Sequence, residues 1–401
     1  MKKIYYHLLI ALICCATQQI QADQKIETTD WLIIGAGVGG IAGIGVLHDL
    51  GIPYDDIIWV DSEFNVGRIG EFYTTVPANN TTQKFIDFIN ACATFRECEA
   101  DSLKELQAQD PNVFPELGII VPALKDITAH IRAHARSYKG WLKDLHFEND
   151  FWCAQVGDIA IKARHVILAT GSHPRELNYE NLNVIPLDYA LDKATLATYV
   201  NQDSTIGIIG GSHSGILIIK YLHELAIKKI INLYRSPIVY TYDAGGWNAN
   251  AFNGLKGSTA DFAREVLEGP NPPANIIRAY NNEENRKKYL PECDKVIYSV
   301  GYEPNPTPLT PEHQHLTYND KTGVIAPRLF GIGLAFPEYY CDPQGNVDHR
   351  VGLTSFMDYA QRIIPQWMAG LGEDVQYRNE LLRMRKQMLA QFADLFVIDI
   401  L

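Results

Sequence analysis

The stretch WLIIGAGVGG, residues 31–40, joins four large hydrophobic residues to a glycine-rich loop. A second stretch of the same kind, IGIIGGSHSG, occupies residues 206–215. In such a loop the first glycine allows a tight turn, the second lets the backbone approach a pyrophosphate, and the third lets helix and strand pack closely. Unpaired N–H groups at the N-terminus of the helix then face the phosphates. The two stretches therefore predict two dinucleotide-binding units.

The first unit carries the residue that this kind of site needs for an adenosine ribose. The next hydrophobic run, IIWVD at residues 57–61, ends on Asp61. A carboxylate at this place accepts hydrogen bonds from the ribose hydroxyls. The predicted cofactor-binding residues of the first unit are Gly35, Gly37, Gly39, Gly40, Asp61 and Ser62.

The second unit departs from the first at two positions. Ser212 stands where the middle glycine is expected, and Arg235 ends the next strand, in the place that Asp61 holds in the first unit. A carboxylate there would repel a 2′-phosphate, whereas a guanidinium can bind it with two hydrogen bonds. The pattern therefore predicts NADPH rather than NADH, with a solvated surface arginine as the alternative. The predicted cofactor-binding residues are Gly210, Gly211, Ser212, His213, Ser214, Gly215 and Arg235, although His213 could be an exposed loop residue without a catalytic role.

The rest of the chain predicts elements of an α/β protein. Strand, helix and strand are expected over residues 31–61 and again over 204–236. Alternating short runs broken by turns predict a three-stranded meander, and an amphipathic pattern predicts a helix. The predicted segments are a helix over 122–140, meander strands over 142–147, 151–156 and 159–163, loops over 62–83 and 243–258, and helical structure beyond residue 352.

Composition and charge limit the classes of function. The chain has 401 residues, of which 47% are hydrophobic and 20% charged, as in a globular protein large enough for two domains. Its formal net charge of -12 argues against nucleic acid or an anionic membrane as a partner. A small-molecule substrate is expected, and a homodimer is possible.

The amino terminus resembles an export signal. Lys2 and Lys3 precede a short apolar run that is followed by Ala22 at a suitable cleavage point. This predicts a signal peptide over residues 1–22, a periplasmic or secreted protein, and no integral membrane span after its removal. An uncleaved interfacial anchor and a cytoplasmic chain are the alternatives.

Five cysteines follow the predicted signal, and none forms a Cys-x-x-Cys pair. They are Cys92, Cys98, Cys153, Cys293 and Cys341. Without closely spaced thiols the sequence predicts buried or structural cysteines rather than a redox-active dithiol. No zinc-ligand spacing is present, and no metal is predicted.

The chain resembles the superfamily of flavoproteins with two dinucleotide-binding domains, which includes pyridine nucleotide-disulfide reductases and flavin-containing or N-hydroxylating monooxygenases. The resemblance rests on the two loops and on three later motifs. It implies that the first unit binds FAD, that an inserted second unit binds NAD(P)H, and that the later motifs return toward the FAD. These motifs are Ala169, Thr170 and Gly171; Gly301 at the end of a strand; and Gly331 and Gly333 in a late strand.

Departures from the superfamily pattern favour its monooxygenase branch. The redox cysteine pair of the disulfide reductases is missing, and Leu334 replaces the late aspartate that contacts the flavin ribityl chain. By family position, Arg68, Asn79 and Asn80 are candidates near the flavin, with ordinary loop structure as the alternative. Residues near the nicotinamide or the substrate are expected in the second long loop, with ordinary loop structure as the alternative; the candidates are Trp247, Asn253 and Lys256.

Together these patterns predict two Rossmann-like domains, a β-meander and a helical C-terminus. The FAD domain is expected over residues 28–175 and 296–401, and the NAD(P)H domain over 176–295. The resemblance implies an oxidoreductase that takes hydride from NADPH to flavin and passes electrons to dioxygen or to a small organic acceptor. A reductase without oxygen insertion and a non-catalytic FAD-binding protein are the alternatives. No catalytic residue is assigned.

Overall fold

The computed structural model describes residues 25–313 and 316–372, which form two main sheets, one mixed with a parallel centre and one parallel, with helices packed against them. The strands, in chain order, are β1 Lys25–Ile34, β2 Ile57–Asp61, β3 Arg136–Lys139, β4 Leu142–Glu148, β5 Phe151–Val156, β6 Ile159–Leu168, β7 Ser172–Pro174, β8 Thr205–Ile209, β9 Lys229–Tyr234, β10 Tyr242–Asp243, β11 Asn248–Ala249, β12 Ile276–Tyr280, β13 Lys295–Tyr298, β14 Tyr302–Pro304, β15 Val324–Ala326, β16 Leu329–Gly331, β17 Glu338–Cys341 and β18 Val347–Arg350.

The helices connect and cover these strands. They are α1 Val38–Asp49, α2 Gly67–Glu71, α3 Thr82–Asn90, α4 Ala93–Arg96, α5 Asp101–Gln107, α6 Val121–His134, α7 Leu187–Ala190, α8 Lys193–Tyr199, α9 His213–Glu224, α10 Gly257–Phe262, α11 Glu283–Tyr289 and α12 Leu353–Gly372. None of the helices in the described residues is long and apolar enough to cross a membrane.

The first unit is built on the sheet with strand order β15-β16-β6-β1-β2-β3, to which β5 and β4 are added beside β6. Strand β1 lies at its centre and pairs in parallel with β2 and β6. Leu32 and Ile33 are fully buried on opposite faces, which explains the unbroken hydrophobic run of the sequence. Helix α1 is also buried along almost its whole length, with α12 packed against it.

The second unit is the four-stranded parallel sheet β12-β9-β8-β13 with its own hydrophobic core. Strand β8, helix α9 and strand β9 repeat the arrangement of β1, α1 and β2, as predicted from the sequence. The chain leaves the first sheet at β7 and returns to it after β14. These two short strands pair with each other antiparallel and form a crossing ribbon between the units.

The predicted meander is confirmed, and its third strand, β6, also forms part of the first sheet, which the sequence did not predict. Strand β6 pairs antiparallel with β5 over Ile159–Ala163 and, on its other side, in parallel with β1 from Ile159 to Leu168. The meander is therefore an extension of the first sheet. Trp152 on β5 is 1% exposed, and its Nε1–H donates to the Pro327 carbonyl oxygen at 2.9 Å, which fixes the meander to the end of β15.

The predicted helix over 122–140 is wrong in its last part. Helix α6 ends at His134, Ala135 is extended, and Arg136–Lys139 form the edge strand β3 beside β2. The Arg136 guanidinium donates to the carbonyl oxygens of Thr28 and Asp55 and pairs with Glu27. The partner residues are far from Arg136 in sequence, so the local hydrophobic periodicity could not reveal these contacts.

Two predictions extend beyond the described residues. The expected signal peptide, residues 1–22, lies outside them, and export remains a prediction. The expected helical C-terminus is confirmed as far as Gly372. The five described cysteines are all free thiols; Cys92 and Cys98 are buried and Cys341 is exposed.

Replacement of Trp152 by alanine tests the anchoring of the meander. A buried tryptophan truncated to alanine costs roughly 3–5 kcal/mol in free energy of unfolding. Trp141 is 74% exposed, so Trp141→Ala serves as the matched control and should change stability by less than about 0.5 kcal/mol. Chemical denaturation followed by circular dichroism measures both. Equal effects would contradict the assigned role of Trp152.

Candidate functional site

The first glycine loop is held in place by contacts that require glycine. Gly35 has φ +113°, and a Cβ atom there would overlap the carbonyl oxygen of Ala169. Its N–H donates to the Val60 carbonyl oxygen at 2.7 Å, and its own carbonyl accepts from Trp59 Nε1 at 2.9 Å. The loop therefore lies directly on the ends of β2 and β6.

The later motifs meet this loop, as the sequence predicted. The Ala169 N–H donates to Ile34 at 2.7 Å, so residues 169–171 begin beside the end of β1. A Cβ on Gly39 would lie 2.9 Å from the Cα of Gly333, which itself has φ +90°. Residues 331–333 thus close against the start of α1. Gly37 keeps an open face, since a Cβ there would meet only Gly67, at 3.9 Å.

Asp61 is half-exposed beside the loop and also helps to shape it. One carboxylate oxygen accepts from the Ala36 N–H at 2.7 Å, and the other accepts from Glu63 and Phe64 N–H at 2.8 and 2.6 Å. A carboxylate has about four acceptor positions, so capacity remains for a ligand hydroxyl. Ser62 is half-exposed next to it. A cleft of about 470 Å³ opens here; its lining residues are Glu63, Phe64, Asn65, Glu71 and Lys125.

The second loop repeats the same construction. Gly210 has φ +124°, a Cβ there would overlap the Ser299 carbonyl oxygen, and its N–H donates to Leu233 at 2.8 Å. Asn232 Nδ2 donates to the Gly210 carbonyl oxygen at 2.7 Å, which is the role of the Trp59 indole in the first unit. Both loops therefore hold the same backbone shape, although different side chains fix it.

The helix that follows the second loop begins without a side-chain cap. Ser212 is its N-cap residue, and the Ser212 side chain makes no capping hydrogen bond. The N–H groups of the first turn are the groups that dinucleotide phosphates use in such loops. Gly211 packs against Tyr234, where a Cβ would lie 2.6 Å from the tyrosine Cβ, and Gly215 packs against Gly210. Ser214 is half-buried beside them.

His213 is not the exposed loop residue that the sequence allowed. It is partly buried, and its Nδ1 has no hydrogen-bond partner among the described residues. Burial, together with the nearby charge of Lys256, lowers the pKa of His213 to about 4. The imidazole is therefore neutral at physiological pH.

Arg235 directly follows β9 and is exposed next to the second loop. Tyr234 holds the register position of Asp61, so Arg235 lies one residue further along the chain than the sequence predicted. Its guanidinium makes no hydrogen bond or ion pair within residues 25–313 and 316–372. The neighbouring Arg278, in contrast, donates from Nε to Asn232 at 3.2 Å and stacks on the Tyr234 ring. Of these two arginines, Arg235 is the one with all its donors available to a phosphate.

Arg68 is engaged in a contact between the two units. Its guanidinium forms an ion pair with Asp188 of the second unit and donates from Nε to the Tyr73 hydroxyl at 3.3 Å. The Tyr73 hydroxyl donates to Asp188 at 2.6 Å and accepts from the Tyr302 hydroxyl at 3.1 Å. We call these four side chains the Arg68 cluster. No role could be assigned to Asp188, Tyr73 or Tyr302 from the sequence, because their roles arise only where the two units meet.

Burial shapes the ionisation of the Arg68 cluster. It opposes the charge of Arg68, but the hydrogen bonds to Asp188 and Tyr73 raise the pKa of Arg68 overall. Burial raises the pKa of Tyr73, to which the nearby Tyr302 adds, and burial also raises that of Tyr302. Both phenols are therefore neutral hydrogen-bonding groups.

The weaker candidates divide into two groups. A Cβ on Gly257 would lie 3.8 Å from the Ala78 carbonyl oxygen, so the segment that leads to Asn79 and Asn80 lies against the start of α10, next to Lys256. Lys256 Nζ donates to the Ala251 carbonyl oxygen at 2.6 Å, and burial lowers the pKa of its amine.

The remaining candidates are less constrained. Asn79 is exposed and accepts from Asn80 Nδ2 at 3.1 Å. Trp247 is half-buried in the turn between β10 and β11, and Asn253 is exposed. Gly301 is exposed with φ +94° at the start of the return to the first unit.

Comparison with known proteins gives matches along most of the chain. A family model described as pyridine nucleotide-disulphide oxidoreductase matches residues 29–329. The curated protein "Monooxygenase AgnR1" of Paecilomyces divaricatus is 27% identical over 410 residues, which cover 87% of this chain and 100% of that protein.

Two solved structures share the fold. The flavin-containing monooxygenase of Stenotrophomonas maltophilia has a TM-score of 0.57 at 17% identity, covering 86% of this chain and 99% of that one. The ornithine N-hydroxylase of Kutzneria sp. 744 has a TM-score of 0.59 at 14% identity, covering 85% of this chain and 99% of that one. With the family match over residues 29–329, the chain belongs to the pyridine nucleotide-disulphide oxidoreductase family.

Proposed function

We propose that the chain is an FAD-dependent oxidoreductase that accepts hydride from NADPH. One observation carries the assignment of the two cofactors: Asp61 ends β2 beside the first loop, whereas the exposed Arg235 directly follows β9 beside the second, one residue beyond the register position of Asp61. In this proposal the first unit binds FAD and the second unit binds NADPH; the second unit extends to Tyr298 rather than to residue 295, because β13 belongs to its sheet. The structure of the Kutzneria ornithine N-hydroxylase contains reduced FAD and NADP⁺, which supports the pairing.

The charges of Asp61 and Arg235 favour FAD at the first loop and NADPH at the second over the reverse arrangement. The Asp61 carboxylate accepts hydrogen bonds from ribose hydroxyls and repels a 2′-phosphate, which FAD lacks and NADPH carries. Arg235 has free donors and binds that phosphate. Bound FAD would supply the redox chemistry, and the role of this chain is to hold the reacting rings and exclude water.

We propose dioxygen as the electron acceptor, with oxygen inserted into a small organic substrate. The names of the similar monooxygenases support this choice. The protonation of two cysteines also supports dioxygen over a dithiol as the acceptor. Burial raises the pKa of Cys92 to about 12 and that of Cys293 to about 11. Such thiols stay protonated at neutral pH and are poor nucleophiles for a dithiol relay.

The direct test uses purified protein loaded with FAD. NADPH added without oxygen should bleach the flavin absorbance, and oxygen added afterwards with candidate substrates should give an oxygenated product. A flavin that NADPH cannot bleach would indicate a non-catalytic FAD-binding protein. Bleaching followed only by peroxide, with every candidate substrate, would contradict oxygen insertion.

Replacement of Arg235 tests the cofactor preference. Loss of a charge-assisted hydrogen bond costs about 1.5–3 kcal/mol, so Arg235→Ala should raise KM for NADPH roughly 10- to 100-fold. The KM for NADH should change little, and Arg235→Lys should recover part of the loss. Arg96→Ala, which removes an arginine of the first unit, is the control. Equal changes in KM for NADPH and NADH would show that Arg235 does not bind the 2′-phosphate.

Replacement of Asp188 tests how the Arg68 cluster holds the two units together. Asp188→Asn leaves the partly buried Arg68 without its counter-charge, so the free energy of unfolding should fall by about 1–3 kcal/mol. The rate of flavin reduction by NADPH should fall as well, while FAD content is retained. Glu283→Gln breaks an exposed ion pair with Lys287 and should cost less than about 1 kcal/mol. An unchanged reduction rate in Asp188→Asn would show that the cluster does not position the two units for the reaction.

A further inference from the structure

The outer face of the meander carries a group of side chains that the dinucleotide sites do not use. His146 and Glu148 lie on β4, and Cys153 lies on β5 directly opposite His146 in the antiparallel pairing. One ligand atom from each of the three side chains lies within 4.8 Å of the other two. An imidazole, a carboxylate and a thiol are the groups that bind zinc in proteins.

A neighbouring carboxylate orients the histidine. Asp144 Oδ2 lies 2.7 Å from His146 Nδ1, and residues 144, 146 and 148 share one face because side chains alternate along a strand. When Nδ1–H donates to Asp144, the lone pair of Nε2 is free for a ligand. Carboxylates hydrogen-bonded to the second nitrogen are typical of zinc-binding histidines.

The opposite face holds these strands rigidly. Leu145, Trp152 and Ala154 are buried in the core of the first unit, at 0%, 1% and 3% exposure. The candidate ligands therefore stand on a fixed two-stranded support and need only side-chain rotations to bring their atoms to bonding distance. One positive charge lies close, since Lys162 on β6 is the cross-strand partner of Cys153.

We propose that His146, Glu148 and Cys153 bind one zinc ion on the outer face of the meander, with water in the fourth position. Imidazole and thiolate select zinc over magnesium and calcium, which take oxygen ligands. The ion would link β4 to β5, and it would stabilise the folded chain because the unfolded chain does not hold the three ligands together. The proposal does not depend on the redox chemistry of the flavin.

Zinc-bound cysteine is a thiolate, so zinc binding should release the thiol proton of Cys153.

The test is a zinc titration of the full chain, loaded with FAD and carrying no polyhistidine tag, in competition with a chromophoric chelator. One zinc ion per chain is expected. Asp144→Asn should weaken binding roughly 10- to 100-fold, and removal of a direct ligand in Cys153→Ser or His146→Ala should weaken it further. Circular dichroism and FAD content identify variants that fold, and Glu148→Gln provides a third ligand variant.

Two control variants separate this site from other thiols and histidines. Cys341→Ser removes an exposed cysteine, and His134→Ala breaks up the neighbouring rings of His130 and His134 on α6. Both should bind zinc as tightly as the parent chain. The proposal is overturned if no zinc binds, if His134→Ala or Cys341→Ser loses the ion, or if folded Cys153→Ser and His146→Ala retain the parent affinity.

Discussion

Both units depend on the close approach of a glycine to the carbonyl end of a neighbouring strand. Gly35 lies against Ala169, and Gly210 lies against Ser299, at distances that leave no room for a Cβ atom. This contact brings the loop, the helix N-terminus and the ends of the adjacent strands to one edge of each sheet. That edge is where open parallel sheets bind their ligands. Any larger residue at either glycine would displace the loop from the strand ends.

The two loops share a backbone and differ in charge. In the first unit Asp61 accepts hydrogen bonds from the N–H groups of Ala36, Glu63 and Phe64 and keeps acceptor capacity for a ribose. In the second unit Arg235 stays exposed with its donors free. The same fold can therefore sort two dinucleotides by the presence of a 2′-phosphate. The Arg68 cluster then links the two units.

The loops, the repeated strand–helix–strand order and the meander could be predicted because their determinants are local in sequence. Features that depend on distant residues could not. Strand β3 forms because Arg136 finds carbonyl acceptors near residues 28 and 55, although its sequence continues a helical pattern. Arg68 was predicted near the flavin from family position, whereas its partner Asp188 could be found only in three dimensions. His213 was judged from its place in a loop, and its partial burial is visible only in three dimensions.

The central claim is that FAD binds at the first loop and NADPH at the second. A crystal structure of the chain with FAD and NADP⁺ tests it most directly. We predict a ribose hydroxyl of FAD within about 3.2 Å of the Asp61 carboxylate, and the 2′-phosphate of NADP⁺ in contact with the Arg235 guanidinium. The account is contradicted if FAD occupies the second loop, or if the 2′-phosphate makes no contact with the Arg235 guanidinium.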